Sequence, residues 1–191
     1  MKTKAAILIL GLALLLVGCT SYYTLINETP PSANLGSFST LSIGWLDFGE
    51  GRAKDYGFEG NEAGKWVELI NEINLKAFPK YVKEFLPGKT LLHVQSKAEP
   101  PKKEGLIIEF SEVNYKQQTS TGAQIMFGAW AGSDMLDLTV HFIDAKSGQE
   151  LAVSKISLSA KAGTGYSQYS FEGRFNNAVY NLAKFVAEKT S

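Results

Sequence analysis

Apolar and polar residues alternate along several short stretches of the chain, which is the period of a strand with one buried face. The most regular stretch is residues 134–145, where every second position is apolar: Leu136, Leu138, Val140 and Phe142. Weaker alternation predicts further strands in four stretches, residues 38–50, 89–98, 105–115 and 149–160. The DAKSG stretch predicts a tight hairpin turn between the last two strands. A shift of the apolar phase between Val153 and Ile156 indicates a bulge in the final strand.

Two longer segments repeat their apolar residues every three or four positions and predict amphipathic helices. The first covers residues 62–85, with Asn61 as the expected N-cap and Pro79 expected to kink or divide it. The second follows Ser170, which we expect to cap it, and carries an apolar stripe from Phe171 to Val186.

The element order predicts an α+β fold. Its order is strand–helix–strand–strand–strand–strand–helix, and the opening strand–helix–strand unit requires a parallel, right-handed crossover. The later strands, joined by shorter connections, should be antiparallel. We therefore expect a single domain over residues 38–191. It should be a two-layer sandwich in which two amphipathic helices cover one face of a mixed four- to five-stranded sheet.

The N-terminus has the pattern of a secretory signal. Two lysines lie within residues 1–4, and residues 5–17 form a run of 13 apolar or glycine residues. As a helix this run is roughly 20 Å long, too short for a hydrocarbon core of roughly 30 Å. Residues 1–18 therefore predict a cleaved signal peptide rather than a membrane span.

The end of that segment, Leu16-Val17-Gly18-Cys19, resembles the lipobox of bacterial lipoproteins. The resemblance implies cleavage before Cys19, a diacylglycerol on its sulfur and usually a third acyl chain on the new amino group. Two or three chains anchor a protein stably, since each buried methylene contributes about 0.8 kcal/mol. By analogy with enteric bacteria, Thr20 after the cysteine favours the outer membrane. We expect a lipid-anchored protein on its periplasmic face.

The segment between the lipid and the domain, residues 19–37, is expected to be a flexible tether, since it has no periodicity and contains Pro30-Pro31. Cys19 is the only cysteine, so no thiol remains for a disulfide, a metal or catalysis. The chain has 19 basic and 19 acidic residues. Loss of Lys2 and Lys4 leaves the remainder slightly acidic, which argues against a nucleic-acid partner.

The element order behind a lipobox resembles a group of periplasmic α/β domains. The N-terminal domain of the Tol-Pal translocation protein belongs to this group, and the curli secretion channel lipoprotein is a more elaborate relative. Residues 41–48 would correspond to the first strand of that unit, and residues 138–160 to the closing hairpin. The strand–D-x-x-x-G–strand pattern also resembles uncharacterised lipoprotein families. The resemblance implies a role in envelope assembly or secretion and assigns no functional residue.

Candidate catalytic and metal-binding residues are sparse. His93 and His141 are the only histidines, neither belongs to a metal-ligand motif, and no G-x-S-x-G elbow is present. We interpret His141 as a solvent-facing strand residue. The glycine-rich loop of residues 49–64 lacks the ligand order of a calcium loop and the phosphate cradle of a P-loop. We predict no enzyme activity, no cofactor and no metal.

A nearly uncharged insertion, residues 117–135, separates two predicted strands. Its apolar set forms the candidate partner surface: Ile125, Met126, Phe127 and Trp130. Three interpretations stay open, namely a segment packed on the core, a surface that binds a partner or a second copy, and a membrane hairpin. The loop of residues 49–62 is a second candidate surface.

The aromatic residues allow an alternative function. Trp130, Tyr166 and Tyr169 could form a sugar platform, whereas Trp45 and Trp66 fit the core faces of their elements. The sequence thus predicts a non-enzymatic cell-envelope lipoprotein that acts through contacts with a protein partner or with itself. The alternative is a lipoprotein that binds a small ligand or a glycan.

Overall fold

The computed structural model describes residues 22–117, 133–160 and 170–191. In these residues six strands form one mixed sheet in the order β1-β6-β5-β4-β2-β3. The strands are β1 (Tyr23–Thr29), β2 (Thr40–Ile43), β3 (Thr90–His93), β4 (Leu106–Lys116), β5 (Asp134–Asp144) and β6 (Glu150–Ala160). The helices are α1 (Ala63–Glu72), α2 (Phe78–Phe85) and α3 (Phe171–Thr190). The predicted α+β class is confirmed, with one strand more than expected.

One face of the sheet carries the core, and the helices cover it. The alternating apolar residues of β5 are fully buried there, as are alternate residues of β6 and the apolar stripe of α3 from Phe175 to Val186. Fully burying a leucine or phenylalanine side chain stabilises a fold by about 1.5–3 kcal/mol, so this layer supplies much of the driving force for folding. Ser170 caps α3 as predicted, because its hydroxyl accepts a hydrogen bond from the Gly173 N–H at 3.0 Å.

The first predicted helix is continuous through Pro79 but changes its winding. A π-helical segment, Ile73–Ala77, joins α1 to α2, and Pro79 follows in the first turn of α2. The wider turn leaves room for a residue that cannot donate a backbone hydrogen bond. Asn61 is not the N-cap, contrary to prediction, because a 3₁₀ turn, Gly60–Glu62, leads directly into α1.

The chain between β3 and β4 crosses over β2, which corrects the expectation that these later strands are antiparallel neighbours. β2 lies between them and pairs in parallel with both. Residues 94–105 make this return on the helix-free face, where the Ser42 hydroxyl donates to the Glu104 carbonyl at 2.7 Å. Gly105 ends the crossing with φ of +67°, and a Cβ there would lie 2.2 Å from the Thr40 carbonyl oxygen. Only glycine fits this close approach.

The N-terminal segment is part of the sheet, so the tether prediction for residues 19–37 is wrong from Tyr23 onward. β1 pairs antiparallel with β6 from Tyr23 opposite Leu158 to Thr29 opposite Val153. The Ser32 N–H extends the contact by donating to the Leu151 carbonyl at 2.9 Å. Because β1 is an outermost strand with mostly exposed side chains, it lacks the alternation that marks a buried strand.

The β5–β6 hairpin forms as predicted, but its bulge lies elsewhere. Asp144 organises the turn, since its carboxylate accepts from the Lys146 N–H and the Ser147 hydroxyl. The register shifts next to Phe142 and Ile143, at the turn, rather than between Val153 and Ile156. Ser154 explains the apparent phase shift, because this polar residue is buried on the core side and donates to the Glu28 carboxylate at 3.1 Å.

Candidate ligand-binding cleft

A cleft of about 420 Å³ opens where β2 and β3 end and β4 continues. It is lined by residues that follow β2, residues that follow β3 and two residues of β4: Gly44, Trp45, Asp47, Lys97, Ala98, Glu99, Pro100, Pro101, Glu109 and Phe110. In open sheets with parallel strands, ligands bind in the crevice outside the carboxyl ends of the strands. The volume also lies within the range of small-molecule sites. We therefore take this cleft as the candidate functional site of the described residues.

Trp45 reaches the cleft because β2 ends two residues before it. The strand period would place Trp45 with Leu41 and Ile43 in the core, as the sequence predicts. Beyond Ile43 the chain leaves the sheet, and Leu46 and Phe48 are the fully buried side chains instead. Trp45 is half-buried: it packs against the core, as predicted, and it also lines the cleft, which was not predicted. Trp66 is fully buried, as predicted.

Asn74 holds this stretch of chain in place. Its side-chain oxygen accepts a hydrogen bond from the Leu46 N–H at 2.7 Å, and its amide donates to the Leu46 carbonyl at 3.1 Å. The same amide donates to the Ile70 carbonyl at 3.0 Å. Asn74 lies in the π-helical segment and is buried. One side chain therefore satisfies both backbone groups of Leu46, the residue between the cleft residues Trp45 and Asp47.

The charged residues of the cleft are mostly paired. Asp47 forms an ion pair with Lys97 at 2.7 Å and accepts the Gly49 N–H at 3.0 Å. Partial burial would raise the pKa of Asp47, but the Lys97 ammonium and the Gly49 N–H outweigh it and hold the pKa below its ordinary value.

Two further carboxylates complete the lining. Glu99 accepts the Gln95 N–H at 2.8 Å and pairs with Lys102 at 2.9 Å, and these contacts lower the pKa of Glu99. Glu109 is exposed on β4 and has no hydrogen-bond or ion-pair partner among the described residues. The cleft thus combines an aromatic wall with one uncompensated carboxylate.

A second polar arrangement lies on the helix-free face of the sheet. Ser111 and His141 share a hydrogen bond of 2.7 Å at Nε2, and His141 Nδ1 is 2.7 Å from the Glu150 carboxylate. Ser111 borders a bulge of β4 in which Glu112 has a φ of +53°. The order serine–histidine–carboxylate is that of an acyl-transfer triad, but the chemistry also needs N–H donors aimed at the developing oxyanion. In this structure the contacts connect β4, β5 and β6 across the helix-free face of the sheet.

A buried ion pair lies at the other end of β5. The Arg174 guanidinium donates to the Asp134 carboxylate at 2.7 Å, and both side chains are fully buried. The Tyr115 hydroxyl donates to the same carboxylate at 2.8 Å, and burial, followed by the Asp134 charge, raises the pKa of Tyr115. The pair connects the first turn of α3 to the first residue of β5.

Several residues predicted to be functional lie outside the described residues. These are the signal peptide, the lipidation site and the apolar and aromatic candidates: Cys19, Ile125, Met126, Phe127, Trp130, Tyr166 and Tyr169. The loop of residues 49–62 is described, and most of its residues are exposed, while two of its side chains anchor it to the core. Its 3₁₀ helix, Glu50–Tyr56, buries Ala53 and Tyr56, and the Tyr56 hydroxyl donates to the Tyr115 carbonyl at 2.9 Å.

The cleft itself was not predicted from the sequence. Its far wall comes from the AEPPKKEG stretch, a polar loop between two predicted strands. Asp47 and Lys97 are far apart in the sequence, and their ion pair depends on the return of residues 94–105 over β2. No local sequence pattern indicates that return. Within the described ranges there is no cluster of three metal-ligating side chains. The helices of the same ranges include none that is long and apolar enough to cross a membrane.

Comparison with known proteins finds distant structural likeness. No protein family matches the chain. No curated protein matches it. The PelC dodecamer from Paraburkholderia phytofirmans aligns with a TM-score of 0.44 and 12% identity, over 88% of this chain and 98% of that chain. A single-substitution variant of the same PelC dodecamer aligns with a TM-score of 0.43 and 10% identity, over 88% and 99% of the two chains. Scores this low carry no argument about the function of this chain.

Proposed function

We propose that this chain is a non-enzymatic lipoprotein of the cell envelope, held at the periplasmic face of the outer membrane by acylated Cys19. It acts through contacts with an envelope protein or with a second copy of itself. The basic start, the short apolar run and the lipobox-like residues 16–19 support the anchor. The N-terminal domain of the Tol-Pal translocation protein and the curli secretion channel lipoprotein, which resemble this chain in element order, support the class of function by resemblance only.

The observation that carries the contact function is the free edge of β1. Among the described residues this strand has a partner strand on one side only, and its Leu25 and Ile26 are the most exposed large apolar residues of the strand, at 43% and 53%. An open strand edge with exposed apolar side chains is a template for pairing with another chain. β1 begins four residues after Cys19, a span of at most about 14 Å. The anchor would therefore hold this edge next to the membrane.

Cross-linking in intact membranes tests the proposal. We expect the full-length chain to form a defined cross-linked species, either with an envelope protein or with itself. Replacement of Leu25 and Ile26 by serine, or deletion of residues 118–132, should reduce that species. Thr24→Ser, on the same strand, is the matched control. If both altered proteins cross-link as the unaltered chain does, neither surface is the contact.

The cleft supports a second candidate function, the binding of a small ligand. Its aromatic wall and few polar groups are the usual composition of a small-molecule site. If this function holds, a ligand should change the environment of Trp45, which is half-buried, and leave that of fully buried Trp66 unchanged.

A further inference from the structure

We infer that the cleft beside Trp45 binds the ammonium group of an organic amine. The inference deepens the second candidate function, since it names the chemical class of the ligand. It rests on the charge balance, the aromatic wall and the location of the cleft.

Among the described charged side chains at the cleft, one carboxylate remains without a cation and can therefore bind one. Lys97 pairs with Asp47, and Lys102 pairs with Glu99, so these four charges offset one another. Glu109 remains, exposed on β4 and without an ion-pair or hydrogen-bond partner within the described ranges. In the β4–β5 strand pairing, Glu109 lies opposite His141, which already contacts Ser111 and Glu150. An anionic ligand would meet three carboxylates against one lysine in the lining, so the site disfavours it.

The aromatic wall selects an organic cation rather than a metal ion. Trp45 is half-buried and borders the same cleft as Glu109, and the indole face attracts cations within about 6 Å of its ring centroid. Phe110 and the Pro100–Pro101 pair add apolar surface for a ring or an alkyl chain. Calcium would need about six to eight oxygen ligands, and Glu109 offers the only unpaired carboxylate here.

The shared chemistry, a primary ammonium on an apolar or ring body, has two sources. One is an amino sugar, and the other is an alkyl amine such as a lysine side chain. Three probes separate them: glucosamine, cadaverine and, as the uncharged comparison for the sugar, N-acetylglucosamine.

Fluorine NMR of the full-length chain in detergent, labelled with 5-fluorotryptophan, tests the inference. The chain has three tryptophans, and Trp45→Phe identifies the Trp45 signal. We expect glucosamine, cadaverine or both to shift that signal saturably and to leave the Trp66 signal in place. The shift should need higher amine concentrations at high salt, because exposed charges are screened. Which amine binds identifies the source, and either one supports the inference.

Glu109→Gln should weaken amine binding by roughly threefold or more, the size of an exposed ion pair. Because Glu109 is exposed and has no partner in the described part of the chain, this substitution should leave the fold intact. Glu68→Gln on an exposed position of α1 is the matched control and should bind as the unaltered chain does. Binding unaffected by Glu109→Gln would overturn the inference.

The uncharged sugar, N-acetylglucosamine, distinguishes failure of the ammonium inference from failure of the small-ligand function. If N-acetylglucosamine shifts the Trp45 signal as effectively as glucosamine, the ammonium class is wrong, yet the cleft still binds a ligand. If none of the three probes shifts the signal, both the ammonium inference and the small-ligand function based on this cleft are overturned.

Discussion

Replacement of Asn74 by alanine should destabilise the protein strongly, because this side chain alone satisfies a buried stretch of backbone. Asn74 makes three hydrogen bonds, at 2.7, 3.1 and 3.0 Å, and two of them go to the N–H and carbonyl of Leu46. Leu46 is fully buried, so water cannot replace the lost partner.

The size of the effect follows from those two groups. Each buried polar group left unsatisfied costs about 1–3 kcal/mol, so Asn74→Ala should lower the free energy of unfolding by about 2–6 kcal/mol. For a chain of this size, each kcal/mol lowers Tm by about 2–4 °C. Because Leu46 lies between Trp45 and Asp47, the same substitution should also change Trp45 fluorescence at temperatures well below Tm.

Urea unfolding followed by circular dichroism measures the loss of stability. Asn71→Ala provides the matched control, since Asn71 is an exposed asparagine on the same helix. Its effect should stay within about 0.5 kcal/mol, as is usual for surface positions. A loss for Asn74→Ala no larger than that of Asn71→Ala would refute the role given to this side chain.

Three other predictions concern separate parts of the fold. Gly105→Ala should lower Tm in a calorimetric scan, since its Cβ would lie 2.2 Å from the Thr40 carbonyl oxygen, whereas Gly51→Ala, with open space around it, should change Tm little. Arg174→Met should cost about 3–5 kcal/mol by chemical unfolding, because it leaves the Asp134 carboxylate buried without its cation, and a loss below about 1 kcal/mol would contradict this. The depressed pKa of Asp47 in the folded state means that its stabilising contribution is complete above the ordinary pKa of about 3.9 and is lost as pH falls through the lower folded value. The stability difference between the unaltered chain and Asp47→Asn should therefore shrink on acidification, and a difference that stays constant with pH would contradict the prediction.

The buried elements of the fold could be predicted from the sequence, because burial imposes a period. β5, the hairpin at Asp144 and α3 with its Ser170 cap all show a local signal, and all three form as predicted. β1 lacks such a signal because its side chains are largely exposed, and its place in the sheet depends on backbone pairing with β6. Ser154 caused the opposite error, because a buried position is occupied by a polar residue. Its hydroxyl donates a hydrogen bond to the Glu28 carboxylate on the core side of the sheet.

The candidate cleft was not predictable, because its parts meet only through long-range topology. Trp45 follows a strand whose apolar alternation continues past the end of its hydrogen bonding, so the pattern alone assigns it to the core. Lys97 and Glu109 come into the same cleft because residues 94–105 return over β2. No spacing along the chain indicates that return, and the resemblance to other lipoprotein domains assigned no residue to this place.

Mass spectrometry of the N-terminus tests the central claim, lipid anchoring through Cys19, most directly. The full-length chain would be expressed in a bacterium that processes lipoproteins and then isolated from its membranes, with Cys19→Ser as the comparison. We expect a mature chain that begins at Cys19 and carries a diacylglyceryl group, whereas Cys19→Ser should remain uncleaved and unacylated. A chain that retains residues 1–18, or one that begins elsewhere with an unmodified Cys19, would contradict it.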